Sequence, residues 1–160
     1  MRFQTLLRGR LPTAEEYRLP LAKSDRAYSS RTRRLWLREI SEIPDGFRHE
    51  MLSMQLVERL QDRFDSAVDR HLFLHLIASH HGWGRPFAPT CEDLDPPDVR
   101  LEICEESLSL DAQTRRQMPP PCRLDSGIPD RFWRLTRKFG GWGLAYLEAL
   151  LRLADWKASE

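Results

Sequence analysis

The sequence predicts a mainly α-helical protein with a small irregular or β excursion around residues 90–125. Apolar residues recur at helical spacing along much of the chain, and 41% of all residues are apolar, which suffices for a core. Proline-rich stretches at 95–98 and 118–121 bracket a segment of alternating polarity. We expect one helical domain over residues 1–160, with residues 90–125 as an insertion-like loop or hairpin.

Four long helices follow from the apolar periodicity. Two are predicted over residues 47–63 and 66–79, and Gly82 and Gly84 end the second. Two more are predicted over 129–138 and 142–158, where Pro129 suits a first turn and the pair Gly140-Gly141 separates the helices. Residues 99–104 alternate in polarity, as a half-buried strand does. The buried stripe predicted for the last helix consists of Leu144, Ala145, Leu147, Leu150, Leu151 and Ala154.

Composition excludes several classes of protein. The net charge of +1 is not that of a simple polybasic binder. No apolar run approaches the ~20 residues that span a bilayer, and no secretory pattern opens the chain. Cys91, Cys104 and Cys122 are odd in number and widely spaced, which favours free thiols over a disulfide framework or a zinc knuckle. We therefore expect a cytoplasmic protein.

Arginines dominate the cationic residues, since only Lys23, Lys138 and Lys157 are lysines. Arginine suits phosphate pairing, although codon usage in a GC-rich genome explains the bias equally well. Two basic segments are candidates for nucleic-acid contact, and a solvated basic face is the alternative for the first. The candidate residues are Arg26, Arg31, Arg33, Arg34, Arg38, Arg131, Arg134, Arg137 and Lys138.

Histidines are the strongest chemical signal. The pair His80-His81 lies where the second predicted helix ends, and a following glycine permits the turn that lets neighbouring imidazoles share one ion. His71 and His75 share a helix face, but such histidines are more often structural. Asp155 lies on an otherwise apolar helix end, where a carboxylate must be paired or bind a metal unless it is exposed.

Three segments resemble the later motifs of HD (histidine–aspartate) nuclease domains of type I CRISPR helicase-nucleases. They are FRHE at 47–50, ASHHG at 78–82 and LADWKAS at 153–159. The longer stretches 76–89 and 141–159 resemble the I-U or I-G variant. The resemblance implies a helical HD-derived bundle in which His49, His80 and His81 bind one metal ion and Asp155 binds its neighbour.

The chain departs from that family, because it contains no His-Asp dipeptide and lacks the family's still earlier histidine. In the family the aspartate of that motif joins both metal ions, and an Arg-Phe-Gln-like stretch follows the motif. Here the similar stretch RFQTLL directly follows Met1. A two-metal centre needs both ions ~3.5–4 Å apart. We therefore expect no catalytic residues in this chain, only a vestigial or partial metal site.

This departure favours a non-catalytic small subunit of a type I CRISPR surveillance (Cascade) complex, made from an internal start site. Such a subunit would stabilise the R-loop through sequence-independent contacts to the backbone. The expected partners are the backbone and large subunits, CRISPR RNA and the displaced strand of target DNA, with several copies per complex and no membrane. No cofactor is expected in this role.

Two alternatives remain open. In the first alternative, the chain is an incomplete HD nuclease domain for single-stranded DNA, which would use Mn, Ni, Co or Fe once its site is completed. Otherwise it is a helical interaction module unrelated to nucleic acid.

Overall fold

The computed structural model describes residues 2–16, 31–59, 69–91, 93–103 and 106–158. Its mainly helical content with one small two-stranded sheet confirms the predicted fold class. The chain forms two compact units, Met1–Asp45 and Gly46–Glu160. A single domain over residues 1–160 stays a prediction.

The first unit contains helices α1 (Arg2–Arg8) and α2 (Arg31–Ser41), which pack against each other. Leu37 of α2 and Thr5 of α1 are buried there. The helix α2 ends as the Ser41 hydroxyl donates a hydrogen bond to the Arg38 carbonyl, 3.0 Å away, and Glu42 adopts a positive φ of 52°. Short polar side chains at a helix end provide such bonds to the backbone.

The second unit is built on helices α3 (His49–Glu58) and α4 (Arg70–Ser79), which pack together. The helix α3 begins two residues later than predicted and ends at Glu58, while residues 60–68 lie outside the described part. Asp69 caps α4, because its carboxylate accepts a hydrogen bond from the Leu72 amide, 3.0 Å away. The first residues of the helix predicted over 66–79 also lie outside the described residues.

The excursion around residues 90–125 contains an antiparallel hairpin of β1 (Val99–Ile103) and β2 (Glu106–Leu110), with Val99 opposite Leu110. This confirms the predicted strand. A short helix α5 (Ala112–Gln117) follows, and a 3-10 turn, Leu124–Ser126, leads to the last helix. The hairpin packs against α3 through β2, where Leu110 is buried.

The last helix, α6 (Ile128–Lys157), carries Pro129 in its first turn. Its backbone is interrupted at Gly140, where φ is 73° and ψ is 159°. This region is accessible essentially only to glycine. The predicted separation of two helical segments at this glycine pair is thereby confirmed.

The hydrophobic core of the second unit lies between α3, α4 and the start of α6. Its buried members are Met51, Met54, Leu74, Ala78, Ala88 and Ile128. Because α3 and α4 share this core, the first turn of α3 lies beside the last turn of α4. That arrangement positions the candidate site.

The second half of α6 buries less of its apolar surface than its sequence predicts. Leu144 is buried, but Ala145, Leu150 and Ala154 are exposed. Large apolar side chains also face solvent here, and Trp142 is 91% exposed. The exposed apolar face consists of Trp142, Tyr146, Leu150, Leu153 and Trp156. None of the helices in the described ranges has the length and apolar character needed to cross a membrane.

Candidate metal centre

His49, His80 and His81 converge at one end of the α3–α4 pair. His49 is the first residue of α3, and His80 and His81 directly follow α4. Each side chain offers one nitrogen such that the three atoms lie within 4.8 Å of one another. The ring centroids are 5.5 Å apart for His49 and His80, 4.9 Å for His49 and His81, and 4.1 Å for His80 and His81. The structure therefore brings together three of the four predicted ligands as a set.

A backbone turn aims the two adjacent histidines at the same place. Gly82 has a φ of 92°, and its amide donates to the Ser79 carbonyl, 2.7 Å away. The Nδ1 atom of His80 lies 2.7 Å from the Ile77 carbonyl oxygen. Because a carbonyl only accepts, Nδ1 carries the hydrogen and Nε2 keeps its lone pair. Metal-binding histidines are commonly oriented by such a hydrogen bond, which the ring nitrogen that does not bind the metal donates.

The surroundings favour neutral imidazoles in this cluster. Burial lowers the pKa of His49, and the nearby His81, His80 and Arg48 lower it further against the opposing effect of Glu50. Burial also lowers the pKa of His81, with His80 and Arg48 acting in the same direction. Neutral imidazole is the form that binds a metal ion.

Asp155, the fourth predicted ligand, lies near the end of α6 and is half-buried. Its carboxylate is close enough to His81 to raise the pKa of that histidine. It lies outside the set of three nitrogens within 4.8 Å. The Asp155 carboxylate is therefore a neighbour of the histidine cluster and not a member of it.

Glu50 is a site residue that the sequence reasoning missed. Its side chain is 0% exposed, and neither carboxylate oxygen has a hydrogen-bond partner among the described residues. Its Oε2 atom lies 3.5 Å from Nδ1 of His49. One feature of the sequence could have identified Glu50. It lies four residues before Met54, on the side of α3 that faces the core, where a carboxylate is rarely placed without a partner.

The other two histidines do not join the cluster. His75 is 1% exposed, and its Nε2 atom lies 2.6 Å from Oε1 of Glu148, which is also buried. The Nε atom of Arg85 lies 2.9 Å from the second oxygen of Glu148. His71 is half-buried, and burial together with Arg134 and Arg131 lowers its pKa. These placements agree with the prediction that His71 and His75 are structural histidines and not metal ligands.

The predicted nucleic-acid contacts fall into different environments. Arg26 lies outside the described residues, and Arg31, Arg33 and Arg34 lie on α2 with no described side-chain placement. Arg38 forms an ion pair with Asp45, and Lys138 pairs with Asp69 at 2.6 Å. Arg134 and Arg137 are exposed on α6.

Arg131 does not fit the predicted surface role. Its side chain is buried, with NH2 2.7 Å from Oε1 of Glu58 and NH1 3.0 Å from Sδ of Met54. The physical reason is helical phase, because Ile128, Arg131 and Leu135 share the core-facing side of α6.

A surface cavity of about 550 Å³ opens between the start of α3 and the segment around α5. Four arginines line it, and three of them already pair with an aspartate: Arg115 at 3.3 Å, Arg116 at 2.7 Å and Arg123 at 2.7 Å. The fourth, Arg48, lies over the ring of Trp83. The positive charge of the cavity is therefore largely compensated, and the cavity makes a weaker anion site than the number of its arginines suggests.

Comparison with protein-family models, with curated proteins and with solved structures finds no match to this chain. The donor set itself fits a divalent transition ion. Three imidazole nitrogens suit Zn, Cu, Fe, Ni and similar ions, and a deeply buried carboxylate without a partner lies beside one of the imidazoles.

Proposed function

We propose that this chain is a metal-binding part of an HD-type phosphohydrolase that acts on single-stranded DNA. His49, His80 and His81 would hold a divalent ion such as Mn, Ni, Co or Fe. The observation that carries the proposal is the convergence of three imidazole nitrogens within 4.8 Å, one from the start of α3 and two from the turn that follows α4. Packing alone rarely requires such a convergence.

The chain's own residues prepare the site in three ways. Burial keeps His49 and His81 in their neutral form at neutral pH. The Ile77 carbonyl fixes the hydrogen of His80 on Nδ1 and leaves Nε2 for the ion. Asp155 adds negative charge next to His81, which favours a cation there.

A bound ion would supply Lewis-acid polarisation of a phosphate oxygen and a more acidic water molecule. The family's second metal position depends on a His-Asp motif, and these 160 residues contain no such dipeptide. We therefore expect metal binding by this chain without robust cleavage of single-stranded DNA by the chain alone.

Aromatic and cationic side chains beside the cluster support a nucleic-acid substrate. The guanidinium of Arg48, which precedes His49, lies 5.3 Å from the ring centroid of Trp83, two residues after His81. Arg152 lies at the same distance from the ring of Trp156, next to Asp155. Exposed arginine and tryptophan pairs are typical of surfaces that hold single strands through phosphates and stacked bases.

Calorimetric titration of chelator-treated protein with Mn²⁺ and with Ni²⁺ tests the proposal. His80→Ala should weaken binding about tenfold or more, because it removes one of three nitrogens. His71→Ala is the matched control, since His71 lies on the same helix α4 outside the cluster, and it should leave the affinity unchanged within about twofold. Absence of binding by the unmodified chain, or equal effects of both variants, would refute the proposal.

A second candidate is the small subunit of a type I CRISPR surveillance complex. The exposed apolar face of α6 favours it, because large contiguous apolar patches mark contact sites for other proteins. Exposed Arg134 and Arg137 on the same helix would then contact phosphates. Co-purification in several copies with a complex that carries CRISPR RNA would support this role. Robust metal-dependent cleavage abolished by His80→Ala would exclude it.

A further inference from the structure

Glu50 is the most completely buried ionisable side chain at the candidate metal centre. It is 0% exposed, and both of its oxygens lack a hydrogen-bond partner among the described residues. A buried carboxylate without a partner is costly in free energy. Such a group is retained when something else compensates its charge.

The position of Glu50 indicates what compensates it. Its Oε2 atom lies 3.5 Å from Nδ1 of His49, which is longer than a hydrogen bond but close enough to form one after a small shift. The negative charge of Glu50 also opposes the lowering of the His81 pKa that burial and His80 cause. Its carboxylate oxygens do not belong to the set of ligand atoms that lie within 4.8 Å of one another.

We infer that Glu50 is a positioning residue for metal binding, which accepts the Nδ1 hydrogen of His49 and compensates the charge of a divalent transition ion held by His49, His80 and His81. This inference rests on the proposed function. In this arrangement His49 presents Nε2 to the ion, as His80 does through its bond to the Ile77 carbonyl. A carboxylate behind a metal-binding histidine fixes the tautomer and increases the basicity of the ligand.

A second buried polar atom without a hydrogen-bond partner lies next to the ligands along the chain. Ser79 is buried, directly precedes His80 and has a hydroxyl oxygen without a hydrogen-bond partner among the described residues. Unpartnered polar atoms therefore flank the ligands on both helices. Orphaned groups of this kind in a folded protein require an explanation.

Glu50→Gln separates a role in metal binding from a role in packing, because glutamine keeps the shape and removes the charge. We expect the affinity for Ni²⁺ and Mn²⁺, measured by calorimetry, to fall about 10–100-fold. The thermal unfolding midpoint of the metal-free variant should equal or exceed that of the unmodified protein, because a buried uncompensated charge is gone. Glu39→Gln, at an exposed position of α2, is the matched control and should change neither quantity.

Two results would overturn the inference. One is unchanged metal affinity in Glu50→Gln while His80→Ala weakens binding, which would leave the proposed function intact. The other is a lower midpoint of metal-free Glu50→Gln with unchanged affinity, which would assign Glu50 to packing. If the unmodified protein binds neither Ni²⁺ nor Mn²⁺, the proposed function fails, and the inference fails with it.

Discussion

The Nε2 atom of His75 in α4 lies 2.6 Å from the Oε1 atom of Glu148 in α6, and both side chains are almost completely buried. Since a carboxylate only accepts hydrogen bonds, the imidazole donates. Arg85 holds the other oxygen of Glu148, with its Nε atom 2.9 Å away. This network joins α4, the segment after His81 and α6.

Glu148→Gln should lower the free energy of unfolding by about 2 kcal/mol, because hydrogen bonds to a charged group contribute about 1.5–3 kcal/mol. Urea denaturation measures the change. Glu39→Gln, at an exposed position, should stay within about 0.5 kcal/mol of the unmodified protein. Equal effects of the two substitutions would contradict a stabilising role for the network.

Arg131 and Arg137 lie on the same helix, but only Arg131 is buried. Arg131→Met should destabilise the protein by about 3 kcal/mol, because it leaves Glu58 without its ion pair and removes a well-packed side chain.

Arg137→Met should barely change stability. It should instead weaken binding of a single-stranded DNA oligonucleotide and reduce the salt dependence of that binding by about one unit of slope. Fluorescence anisotropy at several salt concentrations measures both. Weakened DNA binding in folded Arg131→Met, with no effect of Arg137→Met, would contradict this assignment.

Gly140 and Gly141 are neighbours with opposite conformational needs. An added Cβ meets no atom within 4 Å at either position, so space does not distinguish them. Gly140 has a positive φ of 73°, and Gly140→Ala should cost about 1–3 kcal/mol through backbone strain. Gly141→Ala lies in helical backbone and should stabilise the protein by about 0.5–1 kcal/mol. Thermal unfolding of the two variants checks the difference in sign, and stabilisation by Gly140→Ala would show that Gly140 is unstrained.

Stability of the metal-free protein should depend on pH through His49, His81 and His71, whose pKa values are all lowered. Their pKa values in the folded state are lowered, chiefly by burial, so the unfolded chain binds more protons between those values and about 6.5. The free energy of unfolding should therefore fall as pH decreases from 7 through 6.5, and stop falling below the folded pKa values. His49→Gln and His81→Gln should each flatten this dependence, measured in the presence of a chelator. Increasing stability on acidification in this window would contradict the pKa directions.

Carboxyl groups with lowered pKa values do not obscure that window. Hydrogen bonds from Arg10 and from the Thr13 amide lower the pKa of Glu16 to about 2, so its contribution is lost only at a far lower pH. The histidine effect can therefore be measured at a pH well above the pKa of Glu16.

Periodicity predicted the helical fold and the strand over 99–104, and the pair Gly140-Gly141 predicted the interruption, because each depends on a local pattern of residues. The end of α3 at Glu58 was not predictable in this way, since the apolar repeat continues past it. The exposure of Leu150 was also missed. The second half of α6 is apolar on more than one face, and periodicity does not say which face packs against α4.

The convergence of His49 with His80 and His81 followed from a resemblance between motifs, and the structure brings those three residues together. Glu50 was missed because its significance lies in burial without a partner, which is a property of packing. Arg131 was assigned to the surface because it is charged, and only the packed helix reveals its partner Glu58. A sequence identifies chemical groups more readily than it identifies which of them face each other.

Glu148 and Asp155 are seven residues apart on α6, which places them on the same face, two turns and about 10 Å from each other. The buried contact of Glu148 with His75 therefore sets the rotation of the helix about its own axis, and with it the direction in which Asp155 points. Inserting a single residue between them would turn Asp155 by about 100° and move its carboxylate away from His81. The geometry at the histidines thus depends on a pairing two helical turns away.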